Sequence, residues 1–143
     1  MEIKYKKTRA EGIAPKRGST GAAGWDIYSP YETYILPGTY KTVPTGIAME
    51  IPEGYFGAIY PRSGLASKKG LRLSNCVGVI DEDYRGEVGV PLYNDSPETQ
   101  YIQAGERIAQ LIIQPYMTIE FSEVEELSDT TRGEGGFGST GTK

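Results

Sequence analysis

The chain has 143 residues, 24% of them charged, with a mean hydropathy of −0.42 and a formal net charge of −4. These values bound it to one soluble globular domain and argue against a broad binder of nucleic-acid backbone. Histidine is absent and Cys76 is the only cysteine, which excludes Ser-His-Asp and Cys-His mechanisms, an intrachain disulfide, and histidine-ligated or multi-cysteine metal sites.

Any catalytic base is therefore expected to be a carboxylate, and any metal to arrive with the substrate. The opening stretch MEIKYKKTRAEG lacks the apolar core of a signal peptide. No segment approaches the roughly 20 apolar residues of a membrane span. A cytoplasmic location is expected, or a nuclear one in a eukaryotic host. In Ala23-Gly24-Trp25-Asp26-Ile27 one carboxylate sits between hydrophobes. A turn at Leu36-Pro37-Gly38-Thr39 precedes an alternating run in which Ile47, Met49 and Ile51 take turns with Ala48 and Glu50, the period of a strand. A second turn at Pro52-Glu53-Gly54 leads into the apolar strand Tyr55 to Tyr60.

That strand runs into Pro61-Arg62-Ser63-Gly64-Leu65-Ala66, and Ser63 to Lys69 is the only predicted helix. Arg62 and Ser63 beside free amide groups form either a phosphate cradle or an ordinary helix start with Ser63 as its N-cap. Cys76 is expected as a buried small apolar residue rather than a nucleophile, since no histidine exists to activate it. The stretch from Gly78 to Glu87, GVIDEDYRGE, reads as the tip of a hairpin between apolar strands. Asp81 and Asp83 would share a face if the strand continued, and like charges so close raise one carboxyl pKa, as suits a general base. The alternative is an acidic, solvated turn compensated by Arg85.

Beyond it, Val88, Val90 and Leu92 alternate with Gly89, Pro91 and Tyr93. Turns follow at Asp95-Ser96-Pro97-Glu98 and Gln103-Ala104-Gly105-Glu106. In Gly105 to Gln110 (GERIAQ) a buried strand opens, reading on through Ile113 as buried on both faces. Gln110 within it needs a hydrogen-bond partner from either protein or ligand. The tail, TRGEGGFGST followed by Gly141, packs five glycines around Arg132, Phe137, Ser139 and Thr140. Its G-x-G-x-x-G match fails as a dinucleotide fingerprint because no helix can follow it. It reads either as a loose terminus or as backbone amides and an arginine able to hold phosphate. Many short strands between Gly/Pro turns predict an all-β barrel or jelly roll.

Together, the stretches around Asp26, Arg62, Asp81, Gln110 and the glycine-rich tail resemble, in order and spacing, the five motifs of the trimeric dUTPase family. The resemblance spans Ala23 to Gly141. It implies a distorted jelly-roll β-barrel over residues 1–130. It also implies a C-terminal arm, 131–143, swapped between subunits of a homotrimer whose three active sites lie at subunit interfaces. The implied activity is hydrolysis of dUTP to dUMP and pyrophosphate, with Mg²⁺ carried on the triphosphate. That activity keeps uracil out of DNA and supplies dUMP for dTMP synthesis. No nucleic-acid or membrane partner is implied.

The resemblance casts Asp81 as the base that activates water for in-line attack on the α-phosphorus. Asp26 contacts the metal through water only. Arg62, Ser63 and Gly64 bind phosphate from one subunit, and Gln110 holds the α-phosphate region. Arg132, Ser139 and Thr140 close over the outer phosphates from another subunit, with Phe137 stacked on uracil and Gly138 admitting close backbone approach. Gly78, Val79 and Ile80 with Asp81, faced by Gly89, resemble the uracil reader. Asn75 resembles an added side-chain amide on that edge, and Tyr84 packs under the deoxyribose and excludes a 2′-hydroxyl. A dCTP deaminase on the same fold is the rival expectation, and a non-catalytic trimeric binder the second.

Overall fold

The structure is a computed structural model and describes residues 1–136. Its elements run β1 (Lys4–Lys7), β2 (Lys16–Arg17), β3 (Trp25–Tyr28), β4 (Thr33–Ile35), β5 (Tyr40–Pro44), β6 (Ile47–Glu50), β7 (Tyr55–Tyr60) and α1 (Ser63–Lys69). They continue with β8 (Leu71–Leu73), β9 (Gly78–Ile80), β10 (Gly89–Asn94), β11 (Gln100–Ile102) and β12 (Arg107–Pro115). All pairings are antiparallel. The largest sheet has the order β2-β3-β12-β7-β9. A second has β5-β10-β8, and the pairs β1-β6 and β11-β4 stand apart. Short strands that change sheet at nearly every turn make this an all-β jelly roll, as expected.

Alternation predicts the inner faces well. On β10, Val90, Leu92 and Asn94 are all at most 1% exposed while their neighbours are not. Asn94 is tolerated inside because it is fully bonded. Its amide donates to the carbonyls of Ile35 and Glu98, at 2.9 and 2.8 Å, and its oxygen accepts from Ser96. Ile47 and Met49 are buried as predicted, and so is Ala48, which pairs with Lys6 of β1. On β12 the run is buried on both faces only at Ile108 and Ala109. Toward Ile112 and Ile113 it becomes half-buried.

Three of the four predicted turns close with backbone hydrogen bonds, and 95–98 is a bend in which the Ser96 amide donates to the Asn94 side chain. Gly38, Gly54 and Gly105 each adopt φ between 67° and 80°, a region other residues rarely enter. Helix α1 begins and ends where predicted and stops at Gly70, whose φ of 64° closes the last turn. Its N-cap is Arg62 rather than Ser63, and no side chain caps it. Ser63 is therefore the first helical residue rather than the cap, and its hydroxyl is not spent on capping.

Cys76 departs from expectation more sharply. It is exposed, and its φ is 62°. The Asn75 carbonyl accepts from the Val77 amide at 2.7 Å, folding three residues into a tight turn. A side chain at the apex of such a turn points outward whatever its hydropathy.

Candidate active site

Five-strand pairing brings two of the predicted residues into one row. Gln110 of β12 lies opposite Asp26 of β3 on one side and Tyr60 of β7 on the other. Its amide donates to the Pro61 carbonyl at 3.2 Å, so the partner that a buried glutamine needs is supplied by the protein. Gly24 makes this possible, because a Cβ there would lie 3.0 Å from the Gln110 side-chain oxygen.

Asp26 is 8% exposed, and both carboxylate oxygens are engaged. Arg62 Nε lies 3.1 Å from one, and an Arg107 terminal nitrogen lies 3.3 Å from the other. Arg107 was not among the expected site residues, and a bulge accounts for its arrival. Ala109 pairs with Ile27, but Arg107 pairs with Tyr28, so Ile108 is an extra residue in the strand. In a regular strand, with Ile108 paired to Tyr28, Arg107 would face the core side, as Ala109 and Ile27 do. With the bulge, Arg107 shares the face of Tyr28, Asp26 and Gln110. Sequence quotes the arginine in GERIAQ but contains no sign of the bulge.

The second group forms around β9. It lies on the edge of the largest sheet, paired with β7 alone, while β10 belongs to the other sheet. The expected hairpin between them is therefore absent as a hydrogen-bonded ladder. The two strands splay apart, and a cleft of about 220 Å³ opens in the gap. Asn75, Gly78, Val79 and Ile80 line one part, Asp81 and Tyr84 another, and Gly89 faces them. The unpaired edge of β9 leaves backbone donors and acceptors available to a ligand between the strands. Gly89 sits close to β5, where a Cβ would lie 2.8 Å from the Thr42 methyl group.

The strand does not continue through Asp81. It ends at Ile80, and a turn follows in which the Asp81 carbonyl accepts from the Tyr84 amide at 3.1 Å. The shared strand face expected for Asp81 and Asp83 does not exist. Both still border an adjoining hollow of about 420 Å³ floored by Phe56 and Tyr116. There the neighbouring Glu82 carboxylate, with burial second, holds the Tyr116 phenol above its ordinary value.

Within one chain the two groups stay separate. Asp26, Arg62, Ser63, Gly64 and Gln110 take no part in lining the cleft. Arg132 belongs to neither. Its guanidinium donates to the Gly135 carbonyl at 2.7 Å, within a local turn from Thr130 to Gly135. Phe137, Gly138, Ser139 and Thr140 lie outside the described residues. Between β12 and that turn the chain forms no helix or strand and carries Met117, Ile119, Phe121, Val124 and Leu127 at 57% exposure or more.

No three His, Cys, Asp or Glu side chains converge among the described residues. One carboxylate with two guanidinium partners can still accept from water in an ion's hydration shell. It does not form the multi-oxygen cage of a dedicated Mg²⁺ site. The chemistry of the donors thus fits a metal brought in on phosphate oxygens. No helix is long and apolar enough to cross a membrane among the residues described.

A family model for dUTPase matches residues 10–141. The deoxyuridine 5'-triphosphate nucleotidohydrolase of Nautilia profundicola is 50% identical over 141 residues, covering 99% of each chain. A mutant of the dUTPase of Staphylococcus bacteriophage 80alpha, solved with dUpNHpp, aligns at a TM-score of 0.91 and 32% identity over 99% of each chain. A mutant dUTPase from phage phi11 of S. aureus, whose structure details the coordination of a structural Mg(II) ion, aligns at 0.83 and 27% identity over 90% of this chain and all of its own. With the motifs in order, a jelly roll, and a match running almost from end to end, the chain belongs to the dUTPase family.

Proposed function

We propose that this chain is a dUTP diphosphatase acting as a homotrimer. It hydrolyses dUTP to dUMP and pyrophosphate, which keeps uracil out of DNA and supplies dUMP for dTMP synthesis. The observation that carries this reading is the cleft between β9 and β10, with an unpaired strand edge along one wall and Asp81 and Tyr84 at its rim. Uracil presents acceptor, donor and acceptor along one edge, which backbone groups of Gly78, Val79 and Ile80 can match, with Asn75 adding an amide. Cytosine puts an amino donor where uracil accepts, leaving buried partners unpaired. Tyr84 packs under the deoxyribose, and Gly89 lets the far wall approach.

In this mechanism Asp81 takes a proton from water, whose oxygen attacks the α-phosphorus in line. The bond to the bridging oxygen breaks, and pyrophosphate leaves. Arg62, Ser63 and Gly64 bind phosphate, Gln110 orients the α-phosphate region, and Arg132, Ser139 and Thr140 cover the outer phosphates. Phe137 stacks on the base, where such contacts are worth ~1–3 kcal/mol, and Gly138 admits the backbone. The substrate is the Mg²⁺ complex, whose metal offsets triphosphate charge, and Asp26 reaches it through water.

A trimer is supported by the separation of the two groups, since each lacks what the other supplies. It is supported too by the exposed apolar side chains after β12, which one chain leaves uncovered. Residues 1–130 then act as the jelly-roll domain and 131–143 as the arm that closes a site on another subunit. The same reading places the enzyme in the cytoplasm. Pyrophosphate release from dUTP, UTP, dCTP and dTTP, with and without Mg²⁺, is the test. Release from dUTP alone, dependent on Mg²⁺, is expected, whereas ammonia from dCTP or silence toward dUTP would overturn the proposal.

A further inference from the structure

Between Ile80 and Gly89 the chain has no helix or strand, yet this segment carries both Asp81 and Tyr84. Tyr84 is placed by its surroundings at the far end of the segment. Its hydroxyl donates to the Glu87 carbonyl at 3.0 Å, and its ring lies so close over Gly86 that no Cβ would fit there. Where Glu87 goes, the Tyr84 ring goes.

Glu87 is held from outside the segment. Arg9 Nε lies 2.9 and 3.1 Å from its two carboxylate oxygens, across 78 residues of sequence, and the Gly46 amide donates to it at 2.8 Å. The Glu87 side chain is 23% exposed and that of Arg9 45%, so what the pair contributes is the two-oxygen geometry that fixes the position of Glu87 rather than a large stability gain. Gly46 is itself fixed. Its φ is 72°, its carbonyl accepts from Thr8 at 2.9 Å, and a Cβ there would lie 2.7 Å from the Gly12 Cα. The next residue, Val88, accepts from the Thr45 amide and hydroxyl and donates to Ile47. The N-terminal segment 8–12, the turn at 45–47 and the loop 81–87 thus meet on one carboxylate.

We propose that Arg9 and Glu87 are positioning residues for pentose selection: their ion pair clamps the loop so that the Tyr84 ring fills the space a 2′-hydroxyl would need. The inference rests on the placement of Tyr84 under the deoxyribose. A ring free to move by part of an ångström still covers the apolar face of a deoxyribose. It no longer bars a ribose, so selectivity suffers before turnover does.

The test is the ratio of kcat/KM for dUTP to that for UTP in Arg9→Met, Arg9→Lys and Glu87→Gln, with melting temperature measured alongside. Arg9→Met should lower the ratio by about tenfold, through a gain with UTP while kcat/KM for dUTP changes little. Glu87→Gln keeps an oxygen for the Gly46 amide and should give a similar loss even if Arg9→Met folds poorly. Arg9→Lys restores a cation and should recover most of the ratio. Variants that melt lower but keep the wild-type ratio would overturn the clamp, since that is what a purely structural ion pair does. A wild-type enzyme that itself fails to prefer dUTP over UTP would instead sink the placement of Tyr84, and the clamp with it.

Discussion

Replacing Asp26 with Asn removes one charge and almost no volume, which isolates the electrostatics of the Asp26–Arg62–Arg107 group. Unit charges ~4 Å apart attract by about 4 kcal/mol at an effective dielectric of 20, before the cost of desolvating them. Arg107 has 49% of its side chain exposed, so its share is screened toward the ~0.5 kcal/mol of a surface pair. Arg62, at 26% and 3.1 Å, is the stronger partner. Desolvation of an 11%-exposed carboxylate cancels much of the gross term. A net loss of ~2 kcal/mol remains, in the range of a charge-assisted hydrogen bond. Asparagine keeps one oxygen for Arg62 but turns a donor toward Arg107.

With a urea slope of ~2 kcal/mol per molar, the unfolding midpoint should fall by about 1 M at a fixed protein concentration, with the slope unchanged. Arg62→Met should cost more than Arg107→Met. A midpoint that stays put, or the opposite ranking of the two arginines, would refute the assignment of Arg62 as the main partner.

Three further outcomes bear on the mechanism and on acid sensitivity. Asp81→Asn should lower kcat by roughly 10²–10⁴, the usual contribution of a general base, while dUTP affinity measured by titration calorimetry changes little. Near-normal turnover would remove Asp81 from that role. Removal of residues 131–143 should abolish pyrophosphate release while size-exclusion elution and melting temperature stay as in the full chain, and an unchanged kcat/KM would exclude the arm from catalysis. Finally, the hydrogen bond from Arg9, helped by the Gly46 amide and opposed by partial burial, holds the Glu87 carboxyl below its usual value of 4.5. A depressed folded pKa contributes stability that is present above 4.5 and lost as pH falls through the folded value. Urea midpoints from pH 7 to pH 3 should therefore drop more in the wild type than in Arg9→Met, whereas parallel curves would contradict the pairing.

Much of this molecule is legible locally. Period two in VGVPLY, glycine at the turns and SGLASKK between a strand and a glycine fix each element from its own residues, because backbone sterics and side-chain alternation act over a few positions. The candidate site residues are equally legible, since Asp26, Arg62, Asp81, Gln110 and Arg132 stand in recognisable stretches. Cys76 shows where that reasoning stops: hydropathy placed it inside, and a three-residue turn put it outside.

What the chain's own letters determined is thus the longer alternating strands, the helix Ser63–Lys69 and the stretches in which the candidate site residues stand. The tertiary structure alone decided how they meet. An extra residue at Ile108 turned Arg107 onto the face of Asp26. Assigning β9 and β10 to different sheets converted an expected hairpin into an open cleft. Arg9 found Glu87 across 78 positions. Each of these depends on strand register and sheet partner, which are set by burying one common core rather than by any neighbour in sequence.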